Sequence, residues 1–296
     1  MTQKEKHLQA LHNFTERVRN DPSVIALLLD GSLAYGTVWE KSDIDLVAVI
    51  RDGTGAASGY AVDEGGIDVS LSFTDVSKFK NDMRKWRGDS SRSQYALGSV
   101  VFTKDETLRD FIEEINRLGD DDAICVFLAV FNGLWSNRTR AEKWVTALHD
   151  PLYAQRFLQW CCTDLADMIL FRRHEIPNRE SVPRAMELEP ELMREFYVKP
   201  STTVMTEDDI RRAINVLDDY LSENMAWWSE PILDYLSDGE VKTQSQIHKQ
   251  LHCGLYPLDY LASKGVIERV TQPSRVFKHS KLTVDEVSYF YIKEAR

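Results

Sequence analysis

Two short apolar runs separated by a turn constrain this chain more than any other feature. The segment from Val24 to Leu29 is continuously apolar, and a second run from Asp43 to Ile50 holds two carboxylates among apolar residues. Short apolar runs of this length are typical of β-strands. A third segment, Ile67 to Phe73, alternates between apolar and polar residues as a strand does. The glycine-rich segment 51–66 between the second and third strands is predicted to be a loop or hairpin connection, and helical periodicity resumes at 76–86. The sequence therefore predicts a small sheet in the first part of the chain.

Carboxylates lie at the start of the second and third predicted strands. Asp43 and Asp45 are two residues apart, so both side chains project from one face of their strand. Neighbouring carboxylates repel each other unless a cation neutralises them, and hard oxygen ligands of this kind suit Mg²⁺. Asp68 lies on the third strand, where it can flank the same ions. Asp63 and Glu64, in the glycine-rich segment before that strand, are rival candidates for the third carboxylate.

Gly31-Ser32 follows the first strand and opens a turn. A glycine at this place lets backbone N–H groups approach phosphate oxygens closely, and the hydroxyl of Ser32 adds a donor. A phosphate-holding turn beside clustered carboxylates is the arrangement that metal-assisted phosphoryl or nucleotidyl transfer requires.

These residues resemble the signature of the DNA polymerase β-type nucleotidyltransferase superfamily, over about the first hundred residues. Ten residues separate Gly31-Ser32 from the Asp-x-Asp pair, and the further carboxylate Asp68 follows. The resemblance implies that Asp43 and Asp45 bind two Mg²⁺ ions and the triphosphate of ATP or another nucleotide. It also implies that Gly31 and Ser32 hold the phosphates and that Asp68 is a metal ligand or general base.

The rest of the chain predicts two further segments. Residues 105–224 have helical periodicity with prolines between the helices. Residues 225–296 read as three short helices followed by a hairpin that pairs Val266–Val270 with Arg275–Lys278. We therefore expect an α+β protein. It would contain a small mixed-sheet catalytic domain at 1–104, a helix bundle at 105–224 and a winged-helix-like module at 225–296. A small catalytic domain followed by helices resembles the antibiotic nucleotidyltransferases, which adenylylate aminoglycosides or lincosamides.

The net charge of −11 is concentrated in one segment. Residues 105–224 hold 24 Asp and Glu against 14 Lys and Arg, while the flanking segments are nearly balanced. An acidic surface formed by residues 105–224 would attract a cationic small-molecule acceptor. The same charge is equally typical of a solvated helix surface, in which acidic residues complement helix amino termini.

Three functions are compatible with these patterns. The first is a nucleotidyltransferase of the EC 2.7.7 type that moves a nucleoside monophosphate to a small-molecule hydroxyl. The second transfers the nucleotide to tRNA or protein, and the third is a DNA-binding regulator with an inert catalytic domain.

DNA binding is not expected, because the third helix of the winged-helix-like module, residues 254–264, contains Lys264 as its single basic residue and includes Asp259. No apolar run is long enough for a membrane span and no signal peptide is recognisable, so we expect a cytoplasmic protein, with a homodimer as one option.

Overall fold

The computed structural model describes residues 1–56, 58–84 and 98–291, which form two compact units, Met1–Leu118 and Gly119–Arg296. The described elements of the first unit are α1 (Gln3–Arg19), β1 (Val24–Asp30), α2 (Gly31–Tyr35), β2 (Ile44–Ile50), β3 (Gly59–Asp63), β4 (Asp68–Asp75), α3 (Val76–Arg84), β5 (Ser99–Thr103) and α4 (Glu106–Ile115). The strands form a mixed sheet in the order β3-β4-β2-β1-β5. Strands β2 and β4 are parallel, and the other neighbouring pairs are antiparallel.

Each face of this sheet carries its own apolar core. On one face, Leu27 and Leu29 of β1 pack in a cluster with Phe14 of α1. On the other face, Leu28 packs in a cluster with Phe111 and other residues of α3 and α4. The central strands are therefore buried on both sides, which is why they read as continuous apolar runs.

The three predicted strands are present as β1, β2 and β4, and the mixed α+β fold is confirmed. The sequence does not predict β3 or β5, the two edge strands. Strand β3 lies in the segment 51–66, which the sequence predicts to be a loop or hairpin connection, and it is largely exposed. A short, exposed edge strand has little of the burial that produces a recognisable apolar pattern. The last two residues of the predicted helix 76–86 lie outside the described residues.

The second unit begins with two long antiparallel helices and ends with a small three-stranded sheet in the order β6-β8-β7. Its described elements are α5 (Asp120–Thr146), α6 (Pro151–Arg172), α7 (Ser181–Leu188), α8 (Pro190–Met193), a π-helical turn (Arg194–Val198), α9 (Lys199–Thr202), α10 (Glu207–Glu223), α11 (Met225–Tyr235), β6 (Lys242–Thr243), α12 (Gln244–Leu251), α13 (Leu255–Ser263), β7 (Glu268–Arg275) and β8 (Thr283–Phe290). Across the described ranges, no helix has the length and apolar character needed to cross a lipid bilayer.

The two units divide the chain differently from the three predicted segments. Helix α4 belongs to the first unit because Leu108 and Ile112 are buried in the core beneath the sheet. The carboxy-terminal elements belong to the same unit as the long helices. There, Tyr260 of α13 packs against Phe131 and Trp135 of α5, with ring centroids 5.9 and 5.2 Å apart.

The terminal hairpin differs in register from the prediction. The sequence analysis pairs residues 266–270 with 275–278, whereas the structure pairs β7 with β8 across a longer tip. Tyr289 of β8 is completely buried, and its hydroxyl donates a hydrogen bond to Asp259 at 2.7 Å. This buried anchor lies beyond the predicted second strand, so the shorter pairing was wrong.

Candidate active site

The candidate site lies where β1 ends and β2 begins. In the antiparallel β1–β2 pair, Asp30 is directly opposite Asp45, and Leu28 is opposite Val47. Directly opposed residues of such a pair project from the same face of the sheet. Two half-buried carboxylates therefore lie side by side, on the face that carries Leu28 and Val47.

Gly31 leaves the space that the Asp45 carboxylate occupies. The backbone of Gly31 has φ +72°, and a Cβ built on it would overlap with Oδ2 of Asp45 and lie 3.1 Å from its Cγ. Glycine is favoured here by the left-handed backbone and by the close approach of the carboxylate. The structure thus brings together two of the predicted site residues.

The short helix α2 places Ser32 next to this carboxylate pair. Ser32 is half-buried in the first turn, where peptide N–H groups have no acceptor within the helix. Leu33, 5% exposed, anchors the turn in the core, and Gly36 ends the helix with φ +77°. The hydroxyl of Tyr35 donates a hydrogen bond to Oδ1 of Asp30 at 2.6 Å, so the helix is tied to the end of β1.

Asp43 lies immediately before β2 and is exposed. The preceding turn is closed by hydrogen bonds from the Trp39 N–H to Ser42 Oγ and from the Ser42 N–H to the Trp39 carbonyl, both at 3.1 Å. Ile44, the next residue, is completely buried. The backbone around Asp43 is thus held on both sides while its carboxylate faces solvent.

Asp68 begins β4, the parallel neighbour of β2. Asp45 is opposite Ser70 in this pair, and Asp68 lies two residues before Ser70 on the same face. The register therefore places Asp68 level with Asp43, and both are exposed.

The two rival carboxylates differ in their surroundings. Asp63 is directly opposite Asp68 in the β3–β4 pair and shares its face of the sheet. Glu64 forms an ion pair with Arg17 of α1, and its side chain is only 12% exposed. Glu64 thus links a helix to the sheet, whereas Asp63 remains a candidate for the third carboxylate.

A cleft of about 390 Å³ opens beside Asp45. Its lining includes Asp30, Ser70 and Ser72 and the β3 segment Gly59–Ala61, none of which is assigned to the site from the sequence. The serines could have been found from the sequence, because strand alternation places them on the face of Asp68. The residues of β3 could not, because the sequence does not predict that strand. The Tyr60 ring itself lies on the sheet face opposite Asp45, since Tyr60 is paired with Leu71 and packs edge-on against Phe73 at 5.9 Å.

The donor set fits Mg²⁺ that is held jointly with phosphate oxygens. Within residues 1–56, 58–84 and 98–291, no three His, Cys, Asp or Glu side chains are grouped so that they could hold a metal ion by themselves. Nucleotide sites usually bind Mg²⁺ through one or two carboxylates together with substrate phosphates. Asp43 and Asp45 as such a carboxylate pair, and Asp68 as a further ligand, remain predictions.

A second carboxylate pair, which the sequence analysis does not single out, lies on α6. Burial raises the pKa of Asp164 to about 6, and the charge of Asp167 adds to this shift. Burial also raises the pKa of Asp167 to about 6, against the opposing effect of a hydrogen bond with Ser181. Gly133 of α5 gives Asp164 room, because a Cβ there would lie 2.8 Å from Oδ2.

Comparison with known proteins supports the fold. No model of a known protein family matches the chain, and no curated protein matches it. A crystal structure of a nucleotidyltransferase-like protein from Exiguobacterium sibiricum 255-15 is similar, with a TM-score of 0.62 and 14% sequence identity. The similarity covers 96% of this chain and 99% of that one. The chain therefore has a nucleotidyltransferase-like fold.

Proposed function

We propose that the first unit transfers a nucleoside monophosphate, with ATP as the expected donor, to a hydroxyl group of a small molecule. The observation that carries this proposal is the packing of the Asp45 carboxylate against the backbone of Gly31. It places a carboxylate beside the amino terminus of α2. A nucleotide triphosphate bridges these two features in the proposed complex.

In this proposal each site residue has a separate role. The backbone at Gly31 and the hydroxyl of Ser32 hold phosphate oxygens. Asp43 and Asp45 would hold Mg²⁺ together with the triphosphate. When bound, Mg²⁺ supplies positive charge that neutralises the phosphates during transfer. Asp68, exposed at the start of β4, accepts the proton of the attacking hydroxyl. The hydroxyl oxygen forms a bond to the α-phosphorus, and the bond to the β-phosphate breaks so that pyrophosphate leaves.

The acceptor is proposed to be a small molecule that carries positive charge, such as an aminoglycoside. The acidic balance of residues 105–224 supports a cation over an anionic polymer. RNA, the main alternative acceptor, would be repelled by the same charge.

The contacts of Asp259 favour an enzyme over a DNA-binding regulator. This residue lies on α13, the helix that a winged helix would place in the major groove. Its Oδ1 accepts hydrogen bonds from Arg269 Nε at 3.1 Å and from the Tyr289 hydroxyl at 2.7 Å. Arg269 of the hairpin is thus paired with the Asp259 carboxylate of α13, which leaves less positive charge for contacts with DNA phosphates.

Incubation with ATP labelled at the α-phosphate tests the proposal. The protein and Mg²⁺ would be combined separately with aminoglycosides, lincosamides and tRNA, and products would be separated by mass. We expect the label on a small molecule. Label on tRNA would favour the macromolecular acceptor, and no transfer to any acceptor, with tight duplex binding instead, would favour the regulator.

A further inference from the structure

His7 is a completely buried histidine that connects α1 to the turn before Asp43. Its side chain lies on the inner face of α1 and is 0% exposed. Nδ1 lies 2.9 Å from the Gln3 carbonyl oxygen, one helical turn earlier. Nε2 lies 2.9 Å from the carbonyl oxygen of Ser42. The ring thus bridges two backbone carbonyls that are far apart in the sequence.

The chemistry of these contacts determines what the ring must donate. A carbonyl oxygen only accepts hydrogen bonds, so each contact needs a proton on the ring nitrogen that makes it, and the contact with Ser42 needs one on Nε2. Water does not compete at the completely buried ring, and a desolvated ring N–H left without its acceptor costs about 1–3 kcal/mol. The hydrogen bond from His7 is therefore a strong restraint on the Ser42 peptide.

Every polar group of Ser42 is held in this arrangement. Its N–H donates to the Trp39 carbonyl and its Oγ accepts from the Trp39 N–H, while its carbonyl accepts from His7. The Ser42 carbonyl belongs to the peptide bond that leads into Asp43. On the other side, Ile44 is fixed in the core. The direction of the Asp43 side chain is thus set by a peptide that His7 anchors.

We propose that His7 is a positioning residue, which fixes the backbone of Asp43 by donating an Nε2 hydrogen bond to the Ser42 carbonyl. The inference rests on the proposed function for its catalytic consequence. Misplacement of a group that binds a reacting substrate lowers turnover more than it weakens substrate binding. Loss of the His7 contact should therefore affect kcat first.

Two substitutions at His7 distinguish the loss of the hydrogen bond to Ser42 from the loss of the imidazole ring itself. In His7→Gln, the amide nitrogen reaches the position of Nε2 and can still donate to Ser42. In His7→Asn, the shorter amide reaches only the position of Nδ1. Leu11→Ala is the stability control, because Leu11 is a core residue of the same helix. It should lower the melting temperature without disturbing Ser42.

The first readout is amide hydrogen exchange in the segment 39–45, measured on the full chain. We expect exchange to be about tenfold faster in His7→Asn, and close to wild type in His7→Gln and Leu11→Ala. Equal exchange in the Gln and Asn variants would overturn the inference. This readout does not depend on catalysis, so it decides the inference even if the wild-type protein transfers no nucleotide, a result that would count against the proposed function alone.

The second readout is steady-state kinetics at a temperature at which all variants are folded. We expect kcat to fall about tenfold or more in His7→Asn with a smaller change in the KM for ATP, and to be largely retained in His7→Gln. The same loss of kcat in Leu11→Ala would show that His7 acts only through stability.

Discussion

The Asp45 carboxylate occupies the space that a side chain at Gly31 would need. Oδ2 of Asp45 lies where a Cβ would be placed, and the backbone of Gly31 is left-handed. Because Gly31 begins α2 and Asp45 lies on β2, this packing holds the carboxylate beside the helix amino terminus. The relationship makes the glycine necessary for the geometry of the site as well as for the turn.

Gly31→Ala should therefore abolish transfer. The new Cβ displaces the Asp45 carboxylate, and the left-handed backbone adds roughly 1–2 kcal/mol of strain. Gly36→Ala is a matched control, because Gly36 has φ +77° but no atom within 4 Å of a built Cβ. It should lose similar stability and keep its activity. Equal activity losses in the two variants, compared by rate and melting temperature, would show that the close approach is unimportant.

The third carboxylate can be identified by comparing Asp68→Ala with Asp63→Ala. The two residues are directly opposite each other on the same sheet face, so the changes have similar effects on local charge. Loss of the general base should lower kcat more than it weakens ATP binding, and we expect this pattern for Asp68. Measurement of kcat and of the ATP dissociation constant distinguishes the two. If only Asp63→Ala shows the kcat effect, Asp63 is the base.

The sequence predicted the strands and the turn that carry the candidate site because buried strands and tight turns leave local patterns. Apolar runs indicated β1 and β2, and strand alternation placed Asp43 and Asp45 on one face. The sequence did not reveal that Asp30 would be opposite Asp45. That pairing depends on the register of two strands, which is set by packing on both faces of the sheet.

The parts that the sequence missed depend on contacts between distant segments. Strand β3 lines the cleft, but it is an exposed edge strand without a recognisable apolar pattern. His7 is a single polar residue in the sequence, and its role depends on a turn 35 residues away in the chain. Neither feature leaves a periodic signal in the sequence.

The stability of the protein should depend on pH through Asp164 and Asp167. Burial raises both pKa values from 3.8 to about 6. Between these values the folded protein binds more protons than the unfolded chain, so the free energy of unfolding falls as the pH rises from about 4 to 6 and the loss persists above pH 6. Asp164→Asn removes one buried charge. The free energy of unfolding of this variant should therefore exceed that of the wild type by an amount that grows as the pH rises from about 4 to 6.

The double variant provides the control for that prediction. The charge of Asp167 contributes to the shift of Asp164, so either asparagine substitution relieves the same repulsion. The stabilisation of Asp164→Asn/Asp167→Asn at pH 7 should therefore be smaller than the sum of the single effects. Denaturant unfolding at pH 4, 5, 6 and 7 measures both quantities. A gain that is independent of pH would contradict the raised pKa values of these two buried carboxyl groups.

Tyr260 should be essential for the stability of the second unit. Its ring, 2% exposed, packs against Phe131, Trp135 and Trp228 at centroid distances of 5.2 to 5.9 Å. Tyr260→Ala should cost about 3–5 kcal/mol, as for other large aromatic truncations. Leu255→Ala, at a position that is 37% exposed in the same helix, should cost much less. Similar melting temperatures for the two variants would indicate that α13 does not share the core of the long helices.

The most direct test of the proposed function is the rate of Mg²⁺-dependent nucleotidyl transfer by Asp45→Asn. The substitution keeps the shape of the side chain beside Gly31 but removes its charge, so the triphosphate and Mg²⁺ lose an oxygen anion at the centre of the site. Asp82→Asn is the matched control, because the Asp82 carboxylate forms a surface ion pair with Lys78 on α3. We predict that transfer falls by orders of magnitude in Asp45→Asn, with an unchanged circular dichroism spectrum, and is unaffected in Asp82→Asn. Near-normal turnover by a well-folded Asp45→Asn protein would contradict the proposed function.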